Sequence, residues 1–90
     1  MTQRRLTQVA GRLRSLRDEL AMVDEQLAHL ADDADDLALR ALVSETPAAS
    51  FESGDARKHV DAMRRHRAHV VSSITELEAH QDDLLDRLGS

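Results

Sequence analysis

The chain contains no cysteine, tryptophan or tyrosine, and its only aromatic residue is Phe51. Without cysteine it can form neither disulfides nor a thiol site. Aromatic side chains supply much of the buried area of globular cores, so their near absence argues against a compact globule. No stretch approaches the roughly 20 apolar residues of a membrane-spanning helix, and no apolar run of a signal peptide follows the first residues. We therefore expect a cytoplasmic protein without a membrane span.

The chain also lacks an excess of positive charge and any recognisable catalytic motif. Its formal net charge of −5 argues against nucleic-acid binding, because contacts to phosphates need a positive surface. There is no glycine-rich phosphate loop, and the many carboxylates fall on predicted solvated helix faces without a pocket-forming segment nearby. The sequence therefore predicts neither an enzyme nor a cofactor.

What the first half of the chain does contain is an unbroken apolar repeat. Apolar residues recur at alternating spacings of three and four, which keeps one stripe of an α-helix facing a partner helix. The repeat predicts a long helix that packs along another helix. Its members are Leu6, Val9, Leu13, Leu16, Leu20, Val23, Leu27, Leu30, Ala34, Leu37 and Ala41.

A similar repeat follows the only proline, Pro47. Residues 46–54 are rich in proline, glycine and small polar side chains, which are typical of a turn. We predict one all-α domain over residues 1–90, with helices at about 2–45 and 55–88, a turn at about 46–54, and Asp55 as the N-cap. A connection of this length favours an antiparallel two-helix coiled-coil hairpin. The second repeat consists of Ala56, Val60, Met63, Arg67, Val70, Ile74, Leu77, Gln81, Leu84 and Leu88.

Blocks of opposite charge predict the register of this hairpin. If the chain turns near Ser50, paired residue numbers sum to about 101. The basic run that contains Arg67 then faces the acidic run that contains Asp32, Asp33 and Asp36. Exposed ion pairs contribute only about 0–1 kcal/mol each, so these charges would select the register more than they stabilise it.

Several apolar residues are left over beside the two seams and predict a contact with another chain. We expect two hairpins to form a homodimeric four-helix bundle, and the alternative is a second protein. Phe51, at the predicted tip, either plugs the end of the core, which we favour, or docks a partner. The candidate interaction residues are Leu39, Leu42, Val43, Phe51, Val71 and Leu85.

Five histidines raise the question of a metal site. His66 and His69 share a helix face, and the predicted register sets them opposite Asp32 and Asp35, a group that zinc or manganese could use. The simpler interpretation is a solvated basic patch balanced by aspartates. We adopt it and predict no metal site.

Two resemblances bear on function. The hairpin with acidic residues at its tip, with Gly54-Asp55 and residues 74–78 (Ile-Thr-Glu-Leu-Glu), is architecturally similar to the coiled-coil arm of the Gre transcript-cleavage factors, which reaches into RNA polymerase. The run over residues 34–47 resembles small, uncharacterised coiled-coil hairpin proteins of GC-rich bacteria, and that resemblance implies no activity.

Two functional hypotheses follow from the sequence. The first is a non-enzymatic coiled-coil interaction module that self-associates and acts as a scaffold or small adaptor. The second is a transcription regulator that docks on RNA polymerase or a sigma factor through the hairpin tip or its apolar face.

Overall fold

Two α-helices account for nearly all of the structure, a computed structural model that describes residues 1–89. The first helix, α1, spans Thr2–Ser44, and the second, α2, spans Pro47–Gly89. They pack against each other as an antiparallel coiled-coil hairpin, and no strand occurs in the described residues. The predicted all-α hairpin is confirmed.

The apolar repeats form the seam between the helices. All eleven repeat residues of α1 are buried or half-buried. The ten predicted repeat residues of α2 are likewise buried or half-buried, except Leu88, which lies near the end of the helix and is 48% exposed. Heptad spacing alone therefore identifies which face of each helix is covered.

The hairpin divides into two units. In the terminal unit, Met1–Ala21 packs on the part of α2 from Ala68 onward, around a core of six buried residues: Val9, Leu13, Leu16, Val70, Ile74 and Leu84. The turn unit, Met22–Arg67, has only Val23, Ala34 and Val60 as buried apolar residues. Its core is thinner, because one of its three buried side chains is a single methyl group.

The turn is far shorter than predicted. The predicted turn at 46–54 is wrong, since α2 already begins at Pro47 and only Glu45 and Thr46 lie between the helices. Asp55 is therefore inside α2 and is not its N-cap. The Thr46 hydroxyl accepts a hydrogen bond from the Ala49 amide at 3.2 Å, which makes Thr46 the N-cap.

Proline at the first helical position explains why α2 starts so early. Pro47 lacks an amide hydrogen, but the first amides of a helix have no intrahelical partner, and its fixed φ already suits a helix. The Thr46 carbonyl then accepts the first helical hydrogen bond, from the Ser50 amide at 3.1 Å. Thr46-Pro47 is thus a helix start, although the same residues are also typical of a turn.

Glu45 ends α1 in the left-handed conformation, with φ of 53°. Its amide donates to the Ala41 carbonyl at 3.1 Å, and the Ser44 hydroxyl donates to the Arg40 carbonyl at 2.7 Å. This arrangement is the αL C-cap, in which glycine usually occupies the left-handed position. A glutamate there carries a steric cost of about 1–2 kcal/mol.

We therefore expect Glu45→Gly to stabilise the hairpin by about 0.5–1 kcal/mol, because glycine adopts this φ without strain. The neighbouring substitution Ser44→Gly is the matched control and should destabilise by about 0.5 kcal/mol, since glycine is a poorer helix former than serine and removes the hydroxyl that donates to the Arg40 carbonyl. Urea unfolding followed by circular dichroism at one protein concentration measures both. Destabilisation by Glu45→Gly would contradict the left-handed cap.

Candidate interaction surface at the turn

The pairing of Arg67 differs from the predicted one. Arg67 occupies its predicted seam position and is half-buried, but its guanidinium makes a hydrogen-bonded ion pair with the Asp24 carboxylate. The predicted pairing of Arg67 with Asp32, Asp33 and Asp36 is wrong. The cause is the early start of α2, because moving the turn by about five residues shifts each partner number by about ten.

Two ion pairs define the register inside the turn unit. Asp24 with Arg67 and Asp35 with Arg57, the latter at 4.0 Å, have residue numbers that sum to 91 and 92. These values belong to a turn centred between Glu45 and Thr46. In the terminal unit, the Arg17 guanidinium meets the Glu78 carboxylate at 3.2 Å. Each of these pairs joins α1 to α2.

The Asp24 contact also affects the guanidinium. Its hydrogen bond, followed by the attraction of its negative charge, raises the pKa of Arg67 above the ordinary arginine value. Arg67 is therefore charged throughout the pH range in which proteins are handled. The pair is a solvent-exposed ion pair that joins α1 to α2.

Four large apolar side chains beside the turn have no cover in the hairpin. Leu39, Leu42, Val43 and Phe51 are 62–79% exposed, and all belong to the turn unit. We call these four residues the turn-end patch. Phe51 is 75% exposed and does not plug the core, so the favoured prediction for this residue is wrong.

The phase of α2 explains the exposure of Phe51. Once α2 starts at Pro47, the repeat extends back through Ala49 and Ser53, which are both half-buried. Phe51 lies midway between these two seam positions, about 180° around the helix from the seam. Its ring is therefore carried on the outer side of α2.

Two shallow grooves flank the turn end. One is lined by Leu39, Arg40, Val43, Ser44, Ala49 and Glu52, and the other by Ala38, Ala41, Leu42, Ser50, Ser53, Gly54 and Arg57. The α2 side of the second groove consists largely of small residues, namely Ser50, Ser53 and Gly54, and a Cβ added at Gly54 would meet nothing within 4 Å. Leu39, Leu42 and Val43 lie outside the seam positions of α1, so α2 does not cover them and their apolar surface stays accessible.

The other two candidate interaction residues lie elsewhere. Val71 and Leu85 belong to the terminal unit. Val71 is half-buried, whereas Leu85 is 51% exposed. Four of the six candidates thus lie in the turn unit. Leu39 and Val43 line one groove and Leu42 lines the other, whereas Phe51 lies on the outer side of α2.

The histidines and aspartates considered for metal binding are all exposed: His66, His69, Asp32 and Asp35. No group of three or more His, Asp or Glu side chains within residues 1–89 is arranged to hold a metal ion. Asp35 instead pairs with Arg57. Within residues 1–89, no polar or charged side chain is buried.

No family model, curated protein or solved structure matches this chain. Neither helix, over the described residues, has an apolar stretch that could cross a membrane.

The Asp24–Arg67 pair yields a test of the register. We expect Asp24→Ala to lower the urea midpoint more than Asp32→Ala, because only Asp24 contacts Arg67. Both aspartates lie exposed within α1, so the gain in helix propensity on replacement by alanine is the same. The difference should shrink as salt is added, since exposed ion pairs are screened. A larger effect at Asp32 would support a turn near Ser50 instead.

Proposed function

We propose that this protein is a non-enzymatic coiled-coil interaction module that self-associates through the turn-end patch. The observation that carries the proposal is the contrast inside the turn unit. That unit buries only three apolar residues, yet it exposes four large ones beside its turn. A grouped set of exposed apolar side chains marks an interaction site more often than scattered single ones do.

A second copy fits the patch as a partner, because the fold itself leaves both copies with the same uncovered surface. In a two-fold dimer each patch covers the other. Full burial of an exposed leucine, valine or phenylalanine contributes about 1.5–3 kcal/mol. Association itself costs about 4–15 kcal/mol. The gain and the cost are of the same order, so the proposed dimer is reversible and depends on protein concentration.

The exposed charge of the helices supports an interaction role in a different way. The faces away from the seam carry acidic and basic side chains, and the ion pairs among them, such as Arg64 with Asp61 at 3.8 Å, are solvent-exposed. Charged surfaces of this kind resist non-specific association. The turn-end patch is therefore the larger apolar surface of the turn unit, apart from the single exposed Met22.

Sedimentation equilibrium from about 1 µM to 1 mM tests the proposal over the affinity range expected of a reversible dimer. We expect the wild type to shift from monomer to dimer with increasing concentration. Val43→Glu should remain monomeric, because it buries a charge at the contact. Circular dichroism should show unchanged helicity, since Val43 is exposed.

Met22→Glu is the matched control. Met22 is also an exposed apolar residue of α1, at 61%, but it lies about 30 Å along the helix from Val43. The control should dimerise as the wild type does. A wild type that stays monomeric at all concentrations would overturn self-association and leave the patch to a different protein, as in a regulator that docks on the transcription machinery.

A further inference from the structure

We infer that the second copy binds about a two-fold axis parallel to the helices, with both turn ends together, and that Arg40 pairs with Glu52 of the second copy. This inference rests on the proposed self-association and adds its geometry and its specificity residues. We argue the inference from the groove that the Arg40 and Glu52 side chains both line. Arg40 stands on the α1 side of that groove and Glu52 on the α2 side, with Leu39, Val43 and Ala49 also in the lining.

The groove is self-complementary because its two charged residues lie at the same level of the hairpin. The numbers 40 and 52 sum to 92, as do those of the cross-helix pair Asp35 and Arg57. Neither the Arg40 guanidinium nor the Glu52 carboxylate has an ion-pair partner among the described residues. Both remain available to a second chain.

A two-fold axis parallel to the helices matches these charges. With this axis, α1 of one copy faces α2 of the other, and each Arg40 meets a Glu52 at the same level. With the axis perpendicular to the helices at this level, α1 faces α1 and Arg40 faces Arg40. A symmetric interface repeats each contact, so the favourable orientation forms the Arg40–Glu52 pair twice.

The remaining charges of the turn unit favour the same orientation. Residues 22–44 of α1 contain six acidic side chains and one arginine, whereas residues 47–67 of α2 contain five Lys or Arg and three acidic residues. The α1 segment is therefore negative and the α2 segment positive. Contact between α1 of one copy and α2 of the other joins opposite charges, and contact between identical helices does not.

Phe51 gains a partner in this arrangement. Phe51 precedes the groove residue Glu52 in the chain and lies on the outer side of α2. In the register of the turn unit, Phe51 lies at the same height along the hairpin as residue 41 of α1. Leu39 and Val43 flank that level and lie about half a turn from the seam position Ala41. The ring of one copy can therefore cover Leu39 and Val43 of the other, which joins an apolar contact to the charge pair.

Charge exchange tests the pairing. Arg40→Glu alone and Glu52→Arg alone should each weaken homodimer formation by roughly tenfold or more, because each places like charges together twice. The double variant R40E/E52R should recover wild-type association. An equimolar mixture of the two single variants should form a heterodimer in preference to either homodimer. Sedimentation equilibrium measures the association of the wild type, the two single variants and the double variant. In the mixture, a fluorophore on one single variant reports the heterodimer.

A second experiment tests the relative orientation of the two copies in the dimer. Since the chain has no cysteine, Ala48→Cys provides one labelling position beside the turn, and Ala48 is exposed. Donor and acceptor dyes at this position should show strong energy transfer in the dimer. Absence of transfer in a dimer would place the turn ends apart and overturn the parallel axis.

The outcomes separate this inference from the proposed function. A wild type that stays monomeric would contradict both the proposed self-association and the Arg40–Glu52 pairing. If the wild type dimerises and Val43→Glu abolishes the dimer, self-association through the patch stands. In that case, single charge variants that dimerise normally, or a mixture without preference for the heterodimer, would overturn the Arg40–Glu52 pairing alone.

Discussion

The register of the turn unit depends on the two-residue turn at Glu45 and Thr46. Once the seam face of each helix is given, the register of an antiparallel hairpin depends on one position, that at which the chain reverses. Thr46 determines that position by capping α2, and Pro47 allows the helix to begin immediately. Asp24 then meets Arg67, and Asp35 meets Arg57. Each of these contacts would be replaced if the turn moved by a few residues.

The heptad spacing predicted the covered faces because burial in a two-helix seam depends only on helical phase. It could not place the turn, since a heptad seam can slide in steps of seven residues and keep apolar layers in contact. The charge blocks did not resolve the ambiguity either. Acidic residues extend from Asp24 to Asp36, so Arg67 finds a carboxylate in both registers.

The sequence did hold a signal for the correct turn. The spacing of the second repeat continues without interruption through Ser53 to Ala49, and both are half-buried. Their small side chains hide this continuation from a search for large apolar residues. Gly54 adds to the difficulty, because a glycine inside a helix costs about 1 kcal/mol relative to alanine and is more typical of a turn.

The surplus of apolar residues near the turn could be predicted, but the role of Phe51 could not. A nine-residue loop would have let the ring fold back over Val60, whereas a two-residue turn leaves no chain to do so. In the structure the Phe51 ring lies instead on the outer side of α2, where it is exposed to solvent. The position of the turn therefore decides whether the one aromatic residue stabilises the monomer or is available to a partner.

The small residues beside the turn have two opposite effects on the molecule. Ala49, Ser53 and Gly54 weaken the turn unit, because they contribute little buried apolar area. The same small residues create grooves that a second chain can fill. Association would therefore restore at the turn the apolar burial that the monomer lacks. The terminal unit, with its six-residue core, is by contrast stabilised within one chain.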